Sequence, residues 1–379
     1  MILPGATLGV LGGGQLGRMF AIRAREMGYR VIVLEPDPRS PAGAVADRQI
    51  EAAYHDESAL AELAELCAAV TIEFENVPAA SLRYLAARVP VRPSGDAVEV
   101  AQDRIREKSF LRDRGFTTPP FVPVRARGEL EPAFAAVGAP ALLKTSRLGY
   151  DGKGQVPVDT LDELRVAFTA LGEIPCVLER RLELERELSV VLARGAGGEV
   201  AAFPVGENTH RQGILDTTVV PARVPAGLAA EAVGVATGVA QALEYAGVLA
   251  VELFVACGGH LFVNEIAPRP HNTGHYTLDA CVTDQFEQQV RALCGLPLGD
   301  PSLLTPVAMV NLLGDTWAAG PPRWGAALAL PGVKLHLYGK SEPRPGRKMG
   351  HLNCLSTTPD DALALARRAA AALLDHHSL

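Results

Sequence analysis

Two glutamates, Glu252 and Glu265, lie on the two arms of "LAVELFVACGGHLFVNEI", each among apolar neighbours. Gly258-Gly259 suits the centre of a tight hairpin between two strands. With Cys257 opposite His260, facing residue numbers sum to 517 and Glu252 lies across from Glu265. Facing side chains sit about 5 Å apart at Cβ, and like charges there repel. A divalent cation relieves the repulsion, and ligands that are all oxygen fit Mg²⁺ or Mn²⁺ rather than zinc. Such an ion, with open ligand positions, commonly serves substrate phosphates. Asn264 points to the opposite face of a regular strand, and only a bulge would re-aim it.

The stretch "KTSRLGYDGKGQ" offers a cradle for those phosphates. Lys144 ends an apolar strand, and Gly149, Gly152 and Gly154 form a loop whose amides could close over a polyphosphate. The spacing does not fit G-x-x-x-x-G-K-[ST], so the loop is not a P-loop. In "CVLERRLELERELSV", Glu179 ends a strand, and Glu187 eight residues later could accept from ribose hydroxyls. Lys340, Arg344, Arg347 and Lys348 crowd "YGKSEPRPGRKMGH", where prolines and glycines shape a cationic loop suited to an anion. "APRPHNTGH" adds Arg269, His271, Asn272 and His275 just after the second glutamate strand. Zinc on those two histidines is disfavoured beside an all-carboxylate site.

Near the start, "VLGGGQLGR" places Gly12, Gly14 and Gly17 as a G-x-G-x-x-G, with Glu35 ending the next strand. That is the arrangement of a dinucleotide site, in which Glu35 would bind the cofactor ribose. The glycines could equally do no more than turn a strand into a helix. An NAD(P)-dependent oxidoreductase built on this loop would leave the paired glutamates and the second glycine loop unexplained.

The elements that must position these residues can be read in outline. "TLGVLGG", "RVIVLEPD", "AAVTIEF" and a short "VPVRPSG" read as strands alternating with helices. The first carries Leu16, Phe20, Ala24 and Met27 on one face and stops at Gly28. This βαβ alternation predicts an α/β chain that opens on a doubly wound parallel sheet. "DAVEVAQDRIREKSFLRDRG" is charged and helical, and "PALLKTSRLGYDGKGQVPV" is strand, loop, strand. "PCVLERRLELERELSVVLAR" is two strands, "PAGLAAEAVGVATGVAQALEYAG" a long helix, and "PDDALALARRAAAALLDHH" a closing amphipathic helix.

The chain has 379 residues, enough for two or three domains. A net charge of -7 argues against a general nucleic-acid binder. No signal peptide and no membrane-spanning run is evident. Cys67, Cys176, Cys257, Cys281, Cys294 and Cys354 form no C-x-x-C pair and stand mostly among apolar residues. Reduced thiols, and hence a cytoplasmic protein, are expected.

In their order, the first glycine loop, "KTSRLGYDGKGQ", "VLERRL", "NEIAPRPHNTGH" and "LYGK…RPGRKMGH" resemble the ATP-grasp enzymes, and among them the 5-(carboxyamino)imidazole ribonucleotide synthases. The resemblance runs from about residue 7 to 354. It implies an α+β ATP-grasp domain (98–295) between a pre-ATP-grasp domain (1–97) and a small C-terminal domain (296–379). It implies ATP-dependent carboxylation of 5-aminoimidazole ribonucleotide with bicarbonate, by way of carboxyphosphate, and a homodimer.

By motif, ATP would contact Arg104, Lys144, the loop Gly149, Tyr150, Asp151, Gly152, Lys153, Gly154 and Gln155, the hinge Glu179, Arg180, Arg181 and Leu182, and Glu187, His210, Asn264 and Glu265. Mg²⁺ would sit on Glu252 and Glu265. Gln15, Leu16, Glu73, Asn272, Lys340, Arg347 and Lys348 would bind the ribonucleotide. Asp151, Lys153, Arg269, His271 and Lys340 would line the space where carbon is transferred. On this reading the first glycine loop is a wall of the ribonucleotide pocket. A formate-dependent glycinamide ribonucleotide transformylase is the alternative within the same fold; "PHN" and "FENV" favour the imidazole substrate.

Overall fold

The computed structural model describes residues 1–149 and 152–374, so Tyr150 and Asp151 of the expected nucleotide loop lie outside the described residues. The chain opens on a parallel sheet ordered Arg48–Ile50, Arg30–Leu34, Thr7–Leu11, Ala69–Ile72. The helix Gln15–Glu26 lays Leu16, Phe20 and Ala24 on one face of it, and Gly28, at φ +86°, ends the turn that follows. That face is completed by a helix from much later in the chain, Gln285–Cys294, whose Phe286, Val290 and Leu293 join the same core. The expected strand in "VPVRPSG" shrinks to one bridge, Val91 to Val70. Pro90 and Pro93 flank it, and neither has an N–H to extend a ladder.

A small antiparallel sheet follows, ordered Phe121–Val124, Cys176–Arg180, Ala141–Thr145, Gln155–Val158. Leu130–Val137 and Leu161–Ala170 are helices that cover it. The larger sheet starts at an edge strand, His260–Ala267, and continues through Gly247–Ala256, Leu184–Arg194, Gly206–Arg211 and Ile214–Val220. It then passes without a break into Val307–Leu313, Lys348–Leu355 and Val333–Leu337, so the basic tail hangs on the sheet that carries the paired glutamates. The two strands of "CVLERRLELERELSV" enter different sheets, which makes 181–183 the connection between layers.

The charged helical stretch breaks at Asp103, whose side chain accepts from the Ile105 and Arg106 N–H groups and starts the helix Arg104–Asp113. That helix buries Glu107 and Lys108 beside Ile105 and Leu111. All six cysteines are free, and all but Cys257 are buried. No helix among the described residues is long and apolar enough to cross a membrane.

The return of Gln285–Cys294 to the first sheet can be tested through Phe286, which is fully buried. Phe286→Ala is expected to cost about 3–5 kcal/mol in urea unfolding; a loss below about 1 kcal/mol would mean this helix does not close that core.

Candidate functional site

The glutamate hairpin turns through Cys257, Gly258 and Gly259, with Ala256 rather than Cys257 paired to His260. Facing numbers near the turn therefore sum to 516, which would send Glu252 and Glu265 to opposite faces. A bulge restores the register: Leu253 pairs with Val263 but Glu252 pairs with Glu265, leaving Asn264 as the extra residue. The carboxylates face each other as expected, by a different route. Asn264 Oδ1 is buried with no hydrogen-bond partner.

The charge around the pair is unevenly distributed. Burial pushes Glu265 up, but the Arg104 guanidinium, 2.9 Å away, outweighs it and holds the carboxyl low. Burial and the neighbouring Glu265 push the Glu252 carboxyl well above its usual range. His271 Nε2 lies 3.7 Å from Glu252, yet burial and the nearby Arg269 and Lys348 depress that imidazole to about 3, so it is neutral at pH 7. Burial and Glu265 together lift Glu107 to about 8. Carboxylates crowded into protonation in this way are a ready-made demand for a cation. Glu252, Glu265 and Asn264 supply only oxygen donors to meet it.

Across the cleft, the first glycine loop is already occupied by the protein itself. The Gly14 and Gly17 N–H groups donate to the two Glu73 oxygens at 2.7 and 3.0 Å, and Gly13 N–H donates to Glu35 at 2.8 Å. Gly12 sits at φ +109°, and a Cβ at Gly14 would lie 2.5 Å from Glu73 Oε1. The glycines thus admit carboxylates to the helix N-terminus where a dinucleotide would put its pyrophosphate. Glu35 also accepts from Tyr54 and from the Asp37 N–H, so it is not free for a cofactor ribose. The dinucleotide reading fails on these contacts.

A cavity of about 400 Å³ runs from this loop to the strand that carries Glu265. Gln15, Leu16 and Glu73 line one side; Arg104, Gly149, Glu265, Arg269, His271, Asn272 and Lys348 line the rest. A second cavity of about 270 Å³ adjoins it at Gln15 and Glu73 and is lined by Lys340 and Arg347.

Family models match the chain in three consecutive segments: a ribonucleotide synthetase preATP-grasp domain over 5–102, an ATP-grasp domain over 109–286, and a phosphoribosylaminoimidazole carboxylase C-terminal domain over 307–365. The N5-carboxyaminoimidazole ribonucleotide synthase of Brucella melitensis is 47% identical over 92% of this chain and 96% of its own. The chain belongs to this synthase family. The Staphylococcus aureus N5-carboxyaminoimidazole synthetase complexed with ADP superposes with a TM-score of 0.92 at 37% identity, covering 97% of this chain and 98% of the other. The Aspergillus clavatus synthase with ADP and 5-aminoimidazole ribonucleotide gives 0.89 at 30% identity, over 97% and 98%.

Set against what the synthase resemblance implies, the expected ribonucleotide residues line the two cavities, whereas of the expected ATP contacts only Arg104, Gly149 and Glu265 do, and several of the others are placed differently. Lys144 and Glu179 pair with each other at 2.7 Å, and Lys108 takes the second Glu179 oxygen at 2.6 Å. The Glu179 side chain is therefore committed to lysines and not open to a base. The Arg180 guanidinium turns back to the Val137 carbonyl. Glu187 Oε2 contacts His210 Nδ1 at 2.6 Å; burial lowers the imidazole's proton affinity, but the Glu187 contact more than restores it. Lys153 is exposed on the hairpin between Gly152 and Gly154, both at positive φ, and Gln155 starts the returning strand. Lys340 Nζ donates to the Lys348 carbonyl.

Three charged residues were not anticipated. Glu75 holds Arg269 at 2.5 Å, and Glu107 and Lys108 underlie the bulge. The signal for Glu107 and Lys108 was the spacing 104, 107, 108, 111, an i, i+3, i+4, i+7 stripe that marks a buried face even when its members are charged.

His275 lies beside this site, fully buried, and burial followed by the neighbouring His271 holds it well below the ordinary imidazole range. The unfolded chain takes up a proton near pH 6.5 that the folded chain refuses, so the neutral ring's contribution is present above that pH and lost below it. His275→Gln, measured by urea unfolding, should be less costly at pH 5 than at pH 7.5 by about 2 kcal/mol. Equal cost at both would mean that His275 is charged in the folded protein.

Proposed function

We propose that this chain catalyses the ATP-dependent carboxylation of 5-aminoimidazole ribonucleotide to the N5-carboxyamino product, with bicarbonate as the carbon source, a step of purine biosynthesis. The observation that carries the reading is the bulged carboxylate pair, whose Glu265 lines a cavity together with the self-capped glycine loop and Lys348 of the basic tail. Mg²⁺ would be held by Glu252 and Glu265 with Asn264 Oδ1 as a neutral third oxygen, and would offset polyphosphate charge during phosphoryl transfer.

This chain's own residues would do the rest. The loop 149–155 would close over the polyphosphate and keep water from the transferring group. Arg104, which lines the cavity, would hold one Glu265 oxygen and leave the other toward the ion. Arg180 and Arg181 already donate their N–H groups to the Pro120 and Pro140 carbonyls, so Leu182 is the first hinge residue whose N–H an adenine ring nitrogen would use. Glu187, oriented by His210, would accept from the ribose hydroxyls.

Bicarbonate would attack the γ-phosphorus, giving carboxyphosphate and ADP. Carboxyphosphate would break down to CO₂ and phosphate, and the exocyclic amine of the ribonucleotide would attack the CO₂ carbon and release a proton. Arg269, fixed by Glu75, would bind the carboxyl oxygens, and neutral His271 would line the same space without adding charge. Lys340 and Arg347, in the adjoining cavity, would bind the ribonucleotide phosphate together with Lys348, while Gln15, Leu16, Glu73 and Asn272 would face the imidazole and ribose.

ADP release tests the assignment. With Mg-ATP, it should depend on aminoimidazole ribonucleotide plus bicarbonate; dependence on glycinamide ribonucleotide plus formate would overturn the substrate. In the same assay Arg347→Gln should raise KM for the ribonucleotide about tenfold or more while leaving KM for ATP within about twofold, as loss of one charge-assisted phosphate contact implies. An equal rise in both would place Arg347 outside the ribonucleotide subsite.

A further inference from the structure

The carboxylate pair depends on a bulge, and the bulge lies on the edge strand of its sheet, whose outer side pairs with no further strand among the described residues. What meets that edge is the helix Arg104–Asp113. Three of its residues, spaced i, i+3 and i+4, engage three successive residues of the strand. Lys108 Nζ donates to the Asn264 carbonyl at 3.1 Å, Arg104 pairs with the Glu265 side chain at 2.9 Å, and Glu107 Oε1 accepts from the Ile266 N–H at 2.6 Å. Glu107 is 2% exposed and Lys108 fully buried. Charged groups so deeply buried are costly unless their contacts are well made, and here two of the contacts are to the backbone on either side of Glu265.

We propose that Glu107 and Lys108 are positioning residues that fix the bulge, and through it set the separation and facing of Glu252 and Glu265 for the metal. Without the bulge the 516 register near the turn would continue and place Glu265 on the other face. Lys108 also pairs with Glu179 of the small sheet, so one residue ties the metal strand to the strand that leads into the nucleotide hinge. The proposal rests on the reading of Glu252 and Glu265 as metal ligands.

The test is Mn²⁺ titration of the full-length protein with ADP, followed by the EPR signal of free Mn²⁺, with ADP affinity measured separately in the absence of metal. Glu107→Leu removes the acceptor at similar size and should weaken Mn²⁺ about tenfold, the scale expected for groups that orient metal ligands, with metal-free ADP affinity within about twofold. Glu107→Gln keeps a carbonyl acceptor and should bind Mn²⁺ as the parent does. Mn²⁺ affinity unchanged in a folded Glu107→Leu protein, or lost equally in Glu107→Gln, would overturn the proposal. If Glu107→Leu does not fold, Lys108→Met is read in the same way: tenfold weaker Mn²⁺ supports the clamp, and unchanged Mn²⁺ overturns it. Glu265→Gln is the control for the underlying reading. If it leaves Mn²⁺ binding intact, the metal assignment itself fails; if it abolishes binding while Glu107→Leu does not, only the clamp fails.

Discussion

Two half-buried carboxylates held face to face cannot both stay readily ionised unless positive charge stands between or beside them, and this constraint organises the centre of the molecule. Arg104 answers it for Glu265. For Glu252 the adjacent histidine is neutral, and its own carboxyl is driven upward. The protein therefore carries crowded carboxylates beside a polar cavity, with oxygen donors from the two glutamates and Asn264 and the neutral His271 imidazole next to them. A chain that brings a magnesium nucleotide to this wall relieves the repulsion by binding its substrate. On the proposed reading, repulsion in the ligand-free state would become affinity for the metal.

The opposite wall solves the reverse problem. A helix N-terminus beside a glycine loop attracts anions, and here Glu73 and Glu35 of the protein occupy the amides. Burial raises the Glu73 carboxyl against the pull of the Gly17 and Gly14 N–H groups. The loop is thereby converted from a phosphate cradle into a rigid wall that presents Gln15, Leu16 and Glu73 to the cavity. On the proposed reading, the cations for a phosphate come instead from the tail, Lys340, Arg347 and Lys348. The two strands that flank this tail, Val333–Leu337 and Lys348–Leu355, extend the very sheet that carries the glutamates, which keeps the two ends of the cavity in one frame.

Much of this was legible because the patterns are local. Strand-glycine-helix at the start, strand-loop-strand around Lys144, and the glutamate hairpin all follow from alternation and turn residues. The hairpin shows the limit of such reading. A tight turn pairing Cys257 with His260 placed Glu252 across from Glu265, and the real turn is one residue looser with a bulge at Asn264 that cancels the difference. Bulges follow from what packs on an edge, and the helix that packs there lies far away in sequence. The dinucleotide reading was open for a related reason: only the fold brings Glu73 and Glu35 onto Gly13, Gly14 and Gly17. Buried charge was the least legible feature. Glu75, Glu107 and Lys108 look like solvated residues until their distant partners, Arg269, Ile266 and Glu179, close over them.

The most direct test of this account is anomalous diffraction at the manganese edge from crystals grown with Mn²⁺ and ADP. The account predicts a peak within coordination distance of both Glu252 and Glu265, between them and the nucleotide phosphates. A peak held by the phosphates alone, with Glu252 turned onto His271, would contradict it.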